Sequence, residues 1–268
     1  MRRRLLVFLH AMISGMEHTS RVKKLEEHVR TEHKRSPLSA HLKEVIYGGV
    51  DGIITTFAVV AGFSGAALSN DTTTQLSFIV VLLFGLANLF ADGVSMGLGN
   101  YLAVRSEQSL YYNTRVKEQC ESVENNAAEV EETITILMEK GFSEEDAHAL
   151  TAIYQKNGPY WLDFMMDNEL QMPDPTKENP IYTGLATFAS FIFFGLIPLL
   201  PFIGLRAFDP QVVFGLSAVG TLFALALLGI LKWKIVGGTH PVRTVLEVVL
   251  VGSIAASVAF FIGTLFEV

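Results

Sequence analysis

Cysteine is nearly absent from this chain of 268 residues. Cys120 is the only one, which excludes an intrachain disulfide framework and any thiolate metal cluster. Charge is scarce as well: Asp, Glu, Lys and Arg make up 18% of the residues, half of the residues are hydrophobic, and the mean hydropathy is +0.38. So little charge excludes an ordinary soluble domain and fits a polytopic membrane protein. Neither an internal repeat nor a low-complexity tract is present.

The charge that exists is unevenly placed. Residues 105–178 hold 16 of the 27 acidic residues and 6 of the 20 basic ones, a local net of −10, which leaves the remainder near +3. One acidic segment on a mildly basic membrane body argues against nucleic acid as a partner. The pattern divides the chain into a tail over 1–40, a membrane part over 41–104, an acidic insert over 105–178 and a second membrane part over 179–268. The start, MRRRLLVFLHAMISG, superficially resembles a signal peptide, but its apolar run is short, His10 interrupts it, and no A-x-A-like cleavage site follows. It reads as a cytosolic tail, with Met12 and Met16 as alternative starts.

Five stretches are long enough to cross a hydrocarbon core of roughly 30 Å: 45–69, 76–104, 181–205, 211–231 and 245–266. The second is longer than a span needs, and nothing between Leu102 and Gln119 would break it, so it is expected to leave the bilayer as a continuing helix. Pro198 and Pro201 should kink or end the third. Lys and Arg crowd the tail and the 232–243 connection and are missing from 70–75. The tail, the insert and 232–243 are therefore expected in the cytosol, with the C-terminus outside or lumenal. The fold class expected is all-α: five transmembrane helices with a helical, cytosolic, metal-binding insert between spans 2 and 3. Within the insert, a helix runs to about Lys140 with an interruption available at Asn125-Asn126. Gly141 stops it, Ser143 starts a second helix to about Lys156, and Pro159 opens a third, from Tyr160 to about Gln171.

Glu118, Glu121, Glu129 and Glu132 are spaced +3, +8, +3. On one unbroken helix they would lie at about 0°, −60°, +20° and −40°, one stripe about 80° wide. If Asn125-Asn126 divides the helix, they become two i, i+3 pairs brought together by folding or by a partner subunit. An acidic helix face is usually no more than solvated, but like charges on one stripe repel. Only Arg115 and Lys117 lie nearby to compensate, and a divalent cation would relieve the repulsion. On the third insert helix, Met165 and Met166 sit at i−4 and i−3 from Glu169. Methionine commonly fills cores, yet a thioether beside carboxylates would shift preference from Mg²⁺ and Ca²⁺ toward Fe²⁺ and later transition ions. Within the apolar spans, Asp51 is an ionisable group in the first, and ionisable groups there are functional by default. Asp92 and Met96 share a face of the second. Gly48, Gly49 and Gly52 allow close helix approach. Glu145-x-x-His148 matches half of a di-iron pattern, but a second copy is lacking.

Val45-Ile-Tyr-Gly-Gly-Val-Asp-Gly-Ile-Ile-Thr-Thr56, Ala91-Asp-Gly-Val-Ser-Met-Gly-Leu-Gly-Asn-Tyr-Leu102, the paired E-x-x-E insert and Met-Met-x-x-Glu together resemble the vacuolar iron transporter family over roughly residues 40–266. The resemblance implies a five-span homodimer in a prokaryotic plasma membrane or a eukaryotic vacuolar membrane. It would exchange protons for Fe²⁺ as transported ion, with Mn²⁺, Co²⁺ or Zn²⁺ as further cargo, and use no cofactor. It implies that Glu118, Glu121, Glu129, Glu132, Met165, Met166 and Glu169 collect metal, and that Asp51 and Met96 line the membrane path. Asn100 stands where the family usually has an acidic residue before Tyr-Leu, which leaves Asp92 or Glu44 to take its place. The rival reading is a membrane-anchored metal buffer or sensor that transports nothing; it has no use for Asp51 and Met96.

Overall fold

The computed structural model describes residues 41–67, 74–205, 208–236 and 240–265, together with part of 21–31. The expectation for 1–40 therefore lies almost wholly outside the described residues. Among the described residues all regular structure is helical. The helices are α1 (Leu42–Ala67), α2 (Thr74–Glu124), α3 (Asn126–Glu139), α4 (Glu144–Tyr154), α5 (Gly158–Asn168), α6 (Pro180–Gly195), α7 (Leu200–Gly204), α8 (Pro210–Val236) and α9 (Pro241–Leu265). Short 3₁₀ turns occupy Pro175–Lys177 and Ile197–Leu199.

Five segments are long and apolar enough to cross a membrane, as expected: Leu42–Phe63, Ile79–Glu124, Pro180–Gly204, Gln211–Val236 and Pro241–Val258. Their ends differ from the hydropathy boundaries by a few residues. Lysine is a good helix former and hydropathy does not see that, so α8 runs past 231 through Lys232 and Lys234. Proline suits a first helical turn, so α9 begins at Pro241 rather than at 245.

α2 is 51 residues long, about 76 Å at 1.5 Å per residue. That is more than twice the thickness of the hydrocarbon. Its apolar part ends near Val104; Arg105, Glu107, Arg115 and Lys117 follow, and such charges do not remain in lipid. α2 is thus one rod joining the membrane body to the insert. The third span is broken as its prolines require: α6 stops at Gly195, turns through Ile197–Leu199 and resumes as α7. The break frees the Pro198 carbonyl, and the Ser217 hydroxyl of α8 donates to it at 2.7 Å. In an apolar surround a freed carbonyl needs such a partner.

α6 packs against both α1 and α2, and small residues make this possible. A Cβ on Gly48 would lie 2.7 Å from the Thr187 carbonyl oxygen, and one on Gly52 would overlap the carbonyl of Phe191. On the α2 side, a Cβ on Gly184 would stand 2.6 Å from the Gly97 oxygen. Backbones therefore meet directly along both contacts. Around them, Val60, Leu89, Phe191 and Leu199 form one core, and Ile53, Phe194, Leu225 and Leu228 form another against α8 and α9.

The insert has a small core of its own, Ile134, Leu137 and Ala147, closed by Leu150, Tyr154 and Phe164. Gly141, at φ +98°, ends α3 in the left-handed conformation that glycine tolerates best. Ser143 caps α4 by accepting from the Asp146 amide at 3.2 Å. α5 ends at Asn168, three residues short of Gln171, which itself takes φ 52°. The segment returning to the membrane is tied to α2: Gln108 Nε2 donates to the carbonyls of Pro175 and Glu178 at 3.2 and 2.9 Å. The Arg115–Asp163 ion pair, at 2.6 Å, pins α5 to the same rod.

Gly52→Ala should separate α1 from α6 at the overpacking cost of about 1–3 kcal/mol. Thermal unfolding of the detergent-solubilised protein is expected to fall by several degrees. Gly62→Ala, on the same helix but facing open space, should not lower it; equal losses in both variants would contradict the contact.

Candidate metal site

The two long segments of acidic sequence do not form one helix. Asn125 leaves helical geometry at φ −119°, ψ 35°, between α2 and α3. The 80° stripe is therefore divided, and the chain folds back so that α3 and α5 pack beside the end of α2. This brings Glu118 of α2, Glu129 of α3 and Glu169 at the end of α5 together, with one carboxylate oxygen from each lying within 4.8 Å of the others. Glu118 and Glu129 are 3% and 5% exposed, and Glu169 is half-buried. Glu118 Oε1, Glu129 Oε2 and Glu169 Oε2 are buried without a hydrogen-bond partner.

Buried polar groups are normally satisfied, and like charges this close repel. Both effects favour the protonated form. Burial first, and then the charges of Glu118, Glu132 and Glu121, push the Glu169 carboxyl up to about 7. Burial also raises Glu129; a hydrogen bond with Glu118 opposes the rise, and the charges of Glu169, Glu132 and Glu121 add to it. A divalent cation would supply the missing partner for all three oxygens. Hard oxygen donors converging on one point are the donor set such an ion takes.

Glu121 and Glu132 are not in the trio. Glu121 is half-buried and pairs with Lys117 at 3.5 Å; Glu132 is exposed. Both are near enough for their charges to act on Glu129 and Glu169. Met165 and Met166 are fully buried, at 1% and 0% exposed. The Thr133 hydroxyl lies 3.2 Å from Met165 Sδ and 2.8 Å from the Glu129 carbonyl oxygen, and accepts from Trp161 Nε1 at 2.8 Å. Thr133 and Trp161 were not singled out from the sequence. The available signal was that Thr133 falls one turn after Glu129.

In the membrane part, Asp51 is half-buried and lines an open cavity of about 930 Å³ between α1, α8 and α9, which Lys232 and Glu247 also line. Asp92 of α2 is an electrostatic neighbour of Asp51 and accepts from Asn88 Nδ2 at 2.7 Å. Met96 packs partly buried against the α1–α2–α6 core. Glu44 is 8% exposed in the first turn of α1. Asn100 Nδ2 donates to Thr187 Oγ1 at 2.7 Å, so the amide ties α2 to α6. Glu145 and His148 are exposed and take no part in the trio.

The model of the VIT family matches residues 42–264, which is most of the chain. The chain belongs to the VIT family. VIT-family relatives similar to it include the vacuolar iron transporter of Toxoplasma gondii, 35% identical over 243 residues, covering 88% of this chain and 78% of the relative. The vacuolar iron transporter of Centaurea cyanus is 33% identical, covering 88% and 92%. Vacuolar iron transporter 1 of Arabidopsis thaliana is 34% identical, covering 82% and 83%.

A carboxyl with a raised folded-state pKa keeps its proton in the folded VIT protein where the unfolded chain, at 4.5, has lost it. Its contribution to stability is present below about 4.5 and is lost as pH rises through about 7. With chelator present, Trp161 emission in a Trp233→Phe background should report a lower unfolding midpoint at pH 8 than at pH 5. Glu169→Gln should narrow that gap; an unchanged gap would place its origin elsewhere.

Proposed function

We propose that this chain carries Fe²⁺ out of the cytosol across its membrane in exchange for protons, as a homodimer, with Mn²⁺, Co²⁺ and Zn²⁺ as further cargo. The observation that carries this reading is the trio of buried carboxylate oxygens without partners, Glu118, Glu129 and Glu169, set on a rod continuous with a membrane span. The similar proteins, named vacuolar iron transporters, support it.

In this reading the insert faces the cytosol. Its acidic field concentrates divalent cations, and the trio captures Fe²⁺ with release of the protons that its raised pKa values retain. Glu121 and Glu132 keep the local potential negative. Met165 and Met166 stand close by as a softer donor supply, which favours late transition ions over Mg²⁺ and Ca²⁺. The ion then passes to the membrane path, where Glu44, Asp92, Met96 and Asp51 replace lost waters. Asp51 serves both ions in this scheme. A carboxylate that can hold either a metal or a proton, but not both, couples the two flows in opposite directions. Its position on a cavity wall rather than in sealed packing suits that role.

The test is Fe²⁺ flux into proteoliposomes under an imposed pH gradient. Replacing Glu118, Glu129 and Glu169 together by alanine should weaken metal binding by more than tenfold, because each removes a charged ligand worth over a kcal/mol, and should slow flux at low Fe²⁺. Asp51→Asn should leave binding at the insert intact and abolish pH-driven flux. Tight binding with no flux in the wild-type protein would instead establish a membrane-anchored buffer.

A further inference from the structure

α3 and α5 meet at the carboxylate trio. Glu129 stands level with Glu169, Thr133 level with Met165, and Trp161 follows against Thr133. Met165 precedes Glu169 by one helical turn, roughly 5 Å along α5, and a buried hydroxyl lies against its sulfur. That hydroxyl has one proton and two acceptors within reach: the Glu129 carbonyl oxygen at 2.8 Å and Met165 Sδ at 3.2 Å. Its own lone pair is taken by Trp161 Nε1 at 2.8 Å, which fixes the oxygen in place. The proton must choose. Turned to the carbonyl, it leaves the thioether with both lone pairs free; turned to the sulfur, it occupies one and holds the side chain against Thr133.

We propose that Thr133 is a positioning residue that sets the metal preference of the collecting site by parking the Met165 sulfur. The inference deepens the collecting-site reading above and rests on it. With the sulfur held by the hydroxyl, an arriving ion meets the carboxylate oxygens first and the thioether second. A soft ion gains the thioether only by breaking the hydroxyl–sulfur hydrogen bond. The hydroxyl thus disfavours ions such as Cd²⁺ that would bind sulfur tightly and leave slowly. Thr133 touches no ion in this scheme; it acts through Met165.

The measurement is the ratio of Cd²⁺ to Mn²⁺ affinity of the full-length protein in detergent, by chelator competition. Thr133→Val keeps the shape and removes the hydroxyl, and should raise the ratio by about threefold or more. Thr133→Ser keeps the hydroxyl and should leave it near wild type. Met165→Leu should lower the ratio, and adding Thr133→Val to Met165→Leu should change nothing further. Thr133→Ala gives the same readout if the valine variant does not fold. An unchanged ratio in both hydroxyl-free variants would overturn the proposal, as would a change that persists without Met165. If the wild-type protein binds neither ion, or binding survives replacement of Glu118, Glu129 and Glu169 by glutamine, the collecting-site reading falls and this proposal with it. An unchanged ratio with binding intact refutes the role of Thr133 alone.

Discussion

Everything in the membrane part depends on α6 lying backbone to backbone against α1 and α2. Gly48 and Gly52 on one side, and Gly97 with Gly184 on the other, leave no room for a Cβ. Among apolar helices in lipid there is little hydrophobic drive to associate, so contact at this distance, with its dispersion and weak polar interactions, is what holds helices together. The consequence reaches beyond the bilayer. α6 is where the chain re-enters after the insert, and α2 is where it leaves. Fixing these two helices to each other fixes both ends of the insert, and Gln108 reinforces the junction by binding the carbonyls of Pro175 and Glu178.

A rigid base is needed because the insert holds an unfavourable arrangement. Three carboxylates with oxygens within 4.8 Å repel if ionised, and one buried oxygen of each has no hydrogen-bond partner. Each buried, unsatisfied polar atom costs on the order of 1–3 kcal/mol. The cost is met by the core of Ile134, Leu137 and Ala147, by the Trp161–Thr133 bond, and by the Arg115–Asp163 pair. The same economy accounts for Asn100. As an amide it bridges α2 to Thr187 on α6 without adding a negative charge to the membrane part.

Much of this was legible in the chain before any coordinates. Span number, the broken third span, the protruding second helix, the Gly141 stop and the Ser143 cap are local consequences of hydropathy and of residues with restricted backbones, and such signals survive in any fold. The acidic stripe was legible in composition but not in shape. Helix phase gives directions around an axis and assumes that the axis continues, and Asn125 ends it. After that break, Glu118 and Glu129 meet by a fold-back, while Glu121 turns to Lys117 and Glu132 to solvent.

The sequence by itself determined that this is a five-span helical membrane protein of the VIT family with an acidic helical insert, because periodicity, hydropathy and motif spacing are properties of the chain read in order. Only the tertiary structure decided which glutamates converge, that Glu169 joins Glu118 and Glu129, and that the Thr133 hydroxyl lies against the Met165 sulfur. Those relations join residues up to 51 positions apart, Glu118 and Glu169, that helix phase alone does not bring together. Their distances depend on how α2, α3 and α5 pack, which no single helix encodes.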